Sequence, residues 1–224
     1  MYKGLKSTFF LCVGIFLLIS FSSSNSGELK FLVTYNGQPL VLNDTLLDED
    51  SNQFTISAFR FYVGEIKLFY NEFEVGYDSN YHLIDIEKPQ SQSLIFNTDK
   101  PLKFNKVEFV LGVDSATSNS GAMGGDLDPT KGMYWTWNSG YINFKLEGRH
   151  AKCYSRNKEF AYHLGGYASP FATAVAVRVP VKNGEVSFEL SDFVNELQFN
   201  AEPRVMSPGI RAKSLSKTAA TCFK

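Results

Sequence analysis

Residues 56–70 read ISAFRFYVGEIKLFY, and no other stretch says as much about the fold. Side chains alternate across an extended chain, so Phe59, Phe61, Val63 and Glu65 share one face and Arg60, Tyr62 and Gly64 the other. The run is rich in aromatic residues and lacks the three-to-four spacing of a helix, which makes it a strand. Gly64 in its middle marks a bulge or a close approach of another chain segment.

The same alternation extends outward in both directions. Upstream, residues 27–44 (GELKFLVTYNGQPLVLND) form an opening hairpin: Leu29, Phe31 and Val33 oppose Lys30, Leu32 and Thr34, and NGQP supplies the turn. Residues 48–54 are polar and read as a loop. Downstream, YHLIDIEKP is a short strand stopped by Pro89, SQSLIFN is another, and KFNKVEFVLGV places Val107, Phe109 and Leu111 on one face. EFAYHLGGYASPF is a strand entering a glycine turn. ATAVAVRVPV reads as a strand whose small apolar residues suit tight burial, and NGEVSFEL as its hairpin return. One short helix is expected in SDFVNELQ, where Ser191 caps and Phe193, Val194 and Leu197 have helical spacing. The tail beyond Pro203 reads as loop, with Lys213 to Lys217 free to fray. The chain has 224 residues and shows no low-complexity linker or internal repeat. Together these features predict an all-β protein: one antiparallel β-sandwich with long loops and one short helix, over residues 26–224.

Residues 1–25 have the pattern of a cleavable export signal. Lys3 and Lys6 precede an apolar run from Phe9 to Phe21 and a small polar exit, SSSNSG. The run is too short for a confident membrane span, and no membrane span is expected after cleavage. Removal would leave 20 of the 22 basic residues against 23 acidic ones. That balance excludes a strongly basic nucleic-acid surface. Export also bears on the cysteines, because thiols oxidise outside the cytoplasm. Cys153 and Cys222 remain after cleavage and can form one disulfide, closing a loop of about 70 residues for roughly 3–4 kcal/mol; two free thiols are the alternative. No CxxC is present, so a zinc knuckle or thioredoxin-type site is not indicated.

Residues 111–148, LGVDSATSNSGAMGGDLDPTKGMYWTWNSGYINFKLEG, hold both tryptophans and the least ordinary chemistry. The part from Asp114 to Gly132 is a long loop rich in Gly, Ser, Asn and Asp. A loop of that length in a compact domain is commonly functional. From Met133 to Leu146 the chain is strand-like, with Met133, Trp135, Trp137 and Tyr141 on one face. The acids Asp114, Asp126 and Asp128, with Asn119, are candidates for an oxygen-liganded calcium site; their plain alternative is turn capping.

The run GDLDPTKGMYWTWNSGYINFKLEG, with FRFYVGEIKLF, LIDIEKP, KVEFVLGVDS, YHLGG and VMSPG, resembles the MbnP-like copper-binding family over residues 28–223. The resemblance implies a secreted β-rich protein. In some members copper is held by histidines and a tryptophan oxidised to kynurenine, the oxidation being done by a partner of the dihaem cytochrome c peroxidase-like type. Copper takes imidazole, thioether and thiolate donors. The candidates here are His163, His82, Trp135, Met133 and Met123, with His163 foremost because its YHLGG setting matches the family. His150 reads as a solvated loop residue. No two histidines share a local spacing that would pair them, and none lies between His82 and His150, where the tryptophans fall. Any site must therefore be assembled by folding. Serine-hydrolase, zinc-protease, phosphate-loop and dinucleotide motifs are absent, so no enzyme class is indicated. The expectation is an exported, periplasmic or surface, copper(I)-binding or trafficking protein. The alternative is a non-catalytic glycan- or protein-interaction module, in which the same aromatic strand forms the binding face.

Overall fold

The computed structural model describes residues 26–97, 101–138 and 140–224; the export signal expected at 1–25 lies outside them. Among the described residues fourteen strands and three α-helices follow in order: β1 Ser26–Tyr35, β2 Gln38–Pro39, β3 Leu46–Leu47, β4 Gln53–Tyr70, β5 Phe73–Asp78, β6 His82–Asp85, β7 Ser93–Asn97, β8 Lys106–Leu111, α1 Ser115–Asn119, β9 Tyr134–Trp135, β10 Gly140–His150, β11 Glu159–Gly165, β12 Val175–Pro180, β13 Glu185–Glu189, α2 Leu190–Val194, β14 Arg204–Val205 and α3 Ile210–Thr221. They build the expected all-β sandwich.

The smaller sheet runs β13-β1-β2, with β7 also on β1. The larger runs β12-β8-β4-β10-β11-β14, with β3, β5 and β6 also on β4 and β9 on β10. Most pairings are antiparallel, but β1 with β13 and β11 with β14 are parallel.

The core lies between the sheets and is phenylalanine-rich. Phe31 of β1 meets Phe109 of β8 edge-on at 5.3 Å, and Phe188 of β13 meets Phe59 of β4 at 5.2 Å. Edge-to-face contact is the arrangement that aromatic quadrupoles favour. Phe59, Phe61 and Val63 are fully buried on this inner face, as their alternation requires. Beyond Val63 the parity changes, since Ile66 and Leu68 are the buried residues. The cause is a bulge: Glu65 takes a positive φ of 50°, and the register to β8 shifts between Gly64 and Lys67. Gly64 is also a close approach, because a Cβ there would stand 2.3 Å from the ring of Tyr81.

Four local expectations are overturned. The tail is not loop: α3 occupies Ile210–Thr221 and buries Ala212, Leu215, Ser216 and Ala219. Its small residues gave little helical signal, and packing supplies what propensity does not. Ser191 does not cap α2. Glu189 does, its carboxylate accepting from the Ser191 amide while also taking Thr34 Oγ1 and the amides of Asn36 and Gly37. The strand after Asn183-Gly184 does not return along β12 but crosses to pair with β1. β12 itself buries only Val177 and Val179, because it ends the strand order of the larger sheet. Finally, Cys153 and Cys222 are free. Burial pushes both thiols up, Cys222 to about 12, and the Cys222 thiol donates to the Thr218 carbonyl. The Cys153 amide donates to the His150 carbonyl, and the Cys222 carbonyl accepts from the Glu189 amide.

Candidate functional site

The outer face of the larger sheet, away from the smaller one, carries the unusual chemistry. Register across β4, β10 and β11 aligns Arg60, Lys145 and His163, while Ala58, Glu147 and Ala161 form the next row. Two structures share this face. One is a cluster of Tyr62, Leu83, Val113, Leu127, Met133, Trp135, Tyr141 and Ile142, over which residues 112–135 fold. The other is an open cleft of about 680 Å³, lined by Glu147, Arg149, Glu159, Ala161, Arg204 and Met206 among others.

The loop over the cluster is organised by short turns. Asp114 caps α1 by accepting from the amides of Ala116 and Thr117, and Tyr81 also donates to it. Asp128 accepts from the Thr130 amide and opens a 3₁₀ turn at Pro129–Lys131. Asp126 takes the Leu83 amide at 3.1 Å and pairs with Lys131. Each acid therefore already has its own local partners, and Asn119 is exposed at the end of α1. They do not converge as calcium ligands, and among the described residues no group of three His, Cys, Asp or Glu side chains forms a metal cluster.

The expected continuous strand from Met133 is a hairpin instead. β9 pairs with the start of β10, Trp135 opposite Gly140, around a turn at residues 136–138. The break separates the tryptophans. Trp135 is 6% exposed and Trp137 64%, although their rings remain 5.4 Å apart. Met133 is fully buried within the cluster, and Met123 lies exposed in the loop.

The three histidines do not meet. His82 sits opposite Val63, and His150 opposite Phe54, both partners belonging to the inner core. His150 is buried, stacked on Phe199 at 3.9 Å, with Nε2 on Asp48 and Nδ1 accepting from the Lys152 amide. Burial holds its pKa below the ordinary value, against the pull of Asp48. It is a structural core residue, not the solvated one expected. His82 Nε2 contacts Asp78 at 2.8 Å.

His163 alone faces outward, yet it is only 6% exposed. Its Nε2 lies 2.7 Å from Glu147 Oε1, and Lys145 Nζ lies 3.3 Å from the same oxygen. The hydrogen bond from His163, helped by the Lys145 charge, holds the Glu147 carboxyl at about 2. Along the same face of β11 come Glu159, Ala161, His163 and Gly165. The first two line the cleft, and Gly165 lies under the indole of Trp135: a Cβ there would fall 2.7 Å from its Cζ3. His163 thus stands at the border between the covered cluster and the cleft. Folding brings the indole and the imidazole to one face, two residues apart along one strand. His82 lies on the other face, Met133 is sealed within the cluster beside Trp135, and Met123 is exposed in the loop.

Sequence reasoning missed Glu147 as the partner of His163. The two are sixteen positions apart, and only the β10–β11 register joins them. Its place in the alternation Lys145, Glu147, Arg149 along the outer face of β10 was the available signal.

A family model described as MbnP matches residues 24–207. Among solved structures, MbnP from Methylosinus trichosporium is similar at a TM-score of 0.62 and 12% identity, covering 82% of this chain and 82% of that one. At that identity the likeness is one of fold. A search of curated proteins found no match.

Proposed function

The chain belongs to the MbnP family, and from that premise we propose that it is an exported, copper-associated protein of the periplasm or cell surface, holding its metal cargo on the outer sheet face that carries His163 and Trp135. One observation carries the reading. His163 is a nearly buried imidazole whose Nε2 is held by a carboxylate, on the strand face that also seats the indole. Metal-binding histidines characteristically have one ring nitrogen oriented by a carboxylate, which fixes the tautomer and frees the other nitrogen for the metal. His163 has no partner at Nδ1 among the described residues. An imidazole donor suits copper.

The family precedent extends this to an oxidised tryptophan. Trp135 is the residue placed for it, since its ring borders His163's strand, and the oxidation would be the work of a partner dihaem enzyme with this chain as its substrate. An intact mass showing one carbon lost and one oxygen gained, mapped to Trp135, is the expected signature. For the metal, titration of the processed protein with copper(I) against a chromophoric chelator is expected to show about one equivalent, lost in His163→Ala. Folded protein that takes up no copper(I) rejects the proposal.

Trp137 favours a second reading. Its large exposure leaves an indole face free to stack on a glycan or protein partner. That version expects indifference to copper and loss of partner binding in Trp137→Ala.

A further inference from the structure

The open cleft of the outer face takes its shape from strand register. One row across the sheet is Thr55, Arg149 and Glu159; the next is Ala58, Glu147, Ala161 and Arg204. Ala161 stands between Glu147 and Arg204, and because neighbouring strands are about 4.8 Å apart, a small side chain there leaves a trough between two long ones. A bulge adds the far wall. The register of β10 to β4 shifts between Glu147 and Gly148, so Ser57 and Ala58 follow one another outward while Ile56 and Phe59 on either side of them are fully buried. Bulges re-aim side chains in this way, and here the result is that Ser57 joins Thr55 on the cleft wall. Gly148 permits the crossing, since a Cβ there would collide with the Thr55 carbonyl oxygen.

The charges of the cleft do not close on one another. Arg60, Arg178 and Arg211 each donate to a glutamate at 2.6–3.1 Å. Arg149 and Arg204 instead share one carboxylate, Glu159, whose oxygens lie 3.9 and 3.8 Å from them, beyond hydrogen-bond reach. Glu147, the other acid of the cleft, is matched by Lys145 at 3.3 Å. Two guanidinium forks against one uncommitted carboxylate leave a single positive charge in excess, with donors free to turn into the cleft. From this geometry we infer that the cleft binds a small hydroxylated monocarboxylate of the sugar-acid class, its carboxylate between Arg149 and Arg204 and its hydroxyls on Ser57, Thr55 and Asn43. Charge-assisted hydrogen bonds from a planar fork are what arginine offers a carboxylate. Hydroxyl and amide side chains both donate and accept, as a sugar hydroxyl requires. The volume of about 680 Å³ lies within the ~300–1,000 Å³ of small-ligand sites, and the charged and hydroxylated wall disfavours an apolar occupant. Glu147 and Glu159 repel a second negative charge, which sets a monoanion apart from a dianion. The inference does not depend on copper.

The test titrates the processed protein calorimetrically with D-galacturonate and D-gluconate, and with galactose and sulfate as the neutral and dianionic counterparts. The variants are Arg149→Gln and Arg204→Gln. Both side chains are largely exposed, at 66% and 55%, so the fold is expected to survive, and thermal unfolding checks that it does. The expected result is saturable binding of at least one acid in the millimolar range or tighter, weakened by added salt, with galactose and sulfate bound far less well. Each arginine variant is expected to lose roughly tenfold in affinity for the acid, the scale of one charge-assisted hydrogen bond. No saturation by either acid overturns the proposal. Galactose bound as tightly as galacturonate overturns the place of the carboxylate, and sulfate bound as tightly as the acids overturns the selection of a monoanion. Unchanged affinity in both arginine variants overturns the site itself.

Discussion

The larger sheet packs something on each face, and the two packings differ in kind. Its inner face meets the smaller sheet through phenylalanines, with Phe188 in ring contact with Phe59, Phe61, Phe144, Phe193 and Phe223 at 5.0–6.3 Å. Its outer face is covered by a loop, and there the large residues are tyrosines and a tryptophan. Tyr62 donates to the Asp126 carbonyl at 3.0 Å, and Tyr141 donates to the Leu127 carbonyl at 3.0 Å while accepting from the Met123 amide at 2.9 Å. A strand brings its backbone hydrogen bonds with it; a loop does not, and its polar groups need partners when they are covered. Tyrosine meets both demands, being apolar along the ring and polar at the tip. Both phenols are pushed upward by burial, so they stay neutral donors. The inner core makes the fold and the outer cluster positions the site.

If that division is right, damage to the two faces should look different. Phe188→Ala is expected to cost ~3–5 kcal/mol and to lower the cooperative unfolding transition of the whole chain. A purely local effect on exchange would show that the sheets are not one cooperative unit. Gly165→Ala should come next, at ~1–3 kcal/mol of overpacking, since its Cβ meets both Trp135 and the Tyr141 carbonyl, the latter at 2.5 Å. Displacement of Trp135 would red-shift its emission and weaken copper(I) together. Tyr141→Phe removes three contacts of one hydroxyl and is expected to cost ~1–2 kcal/mol, seen as faster amide exchange over residues 121–128 with the inner strands unchanged.

Acid separates the faces differently. His150 is held below its ordinary 6.5 by burial, so the unfolded chain takes up a proton that the folded chain resists, and stability should fall as the pH drops below about 6.5. His150→Phe should flatten that slope between pH 7 and 5. Glu147 behaves in the opposite range. Its carboxyl is held down to about 2 from 4.5, so its stabilising contribution is complete above 4.5 and is lost only as the pH falls toward 2. The smallest effect belongs to Trp137→Ala, within ~0.5 kcal/mol because the ring is mostly in solvent. A larger loss would mean that Trp137 helps to hold Trp135 in place.

Much of the inner face was legible. Alternation in residues 56–63, 27–35 and 106–111 named the residues buried between the sheets correctly, the bulge at Glu65 broke it in the rest of β4, and Asn36-Gly37 gave the first turn. Alternation failed where pairing partners were not neighbours in sequence, as when β13 crossed to β1. Helical spacing failed for α3, whose buried residues are mostly small. The candidate site was legible only as separate pieces. His163 and Trp135 were both named, but the Thr136–Asn138 turn, which sends one indole inward and the other outward, left no periodic trace. Glu147 is invisible as the partner of His163 because it reaches it across the pairing of β10 with β11.

The sequence by itself determined that this chain is a β-sandwich of the MbnP family and which residues line the interface between its sheets. Side-chain period and composition are local properties, written into every few residues. Only the tertiary structure decided that one histidine of three faces the loop-covered side, that a carboxylate orients it, and that an indole packs over the same face of its strand. Those relations depend on the register between strands distant in sequence, and register is fixed when the whole core packs.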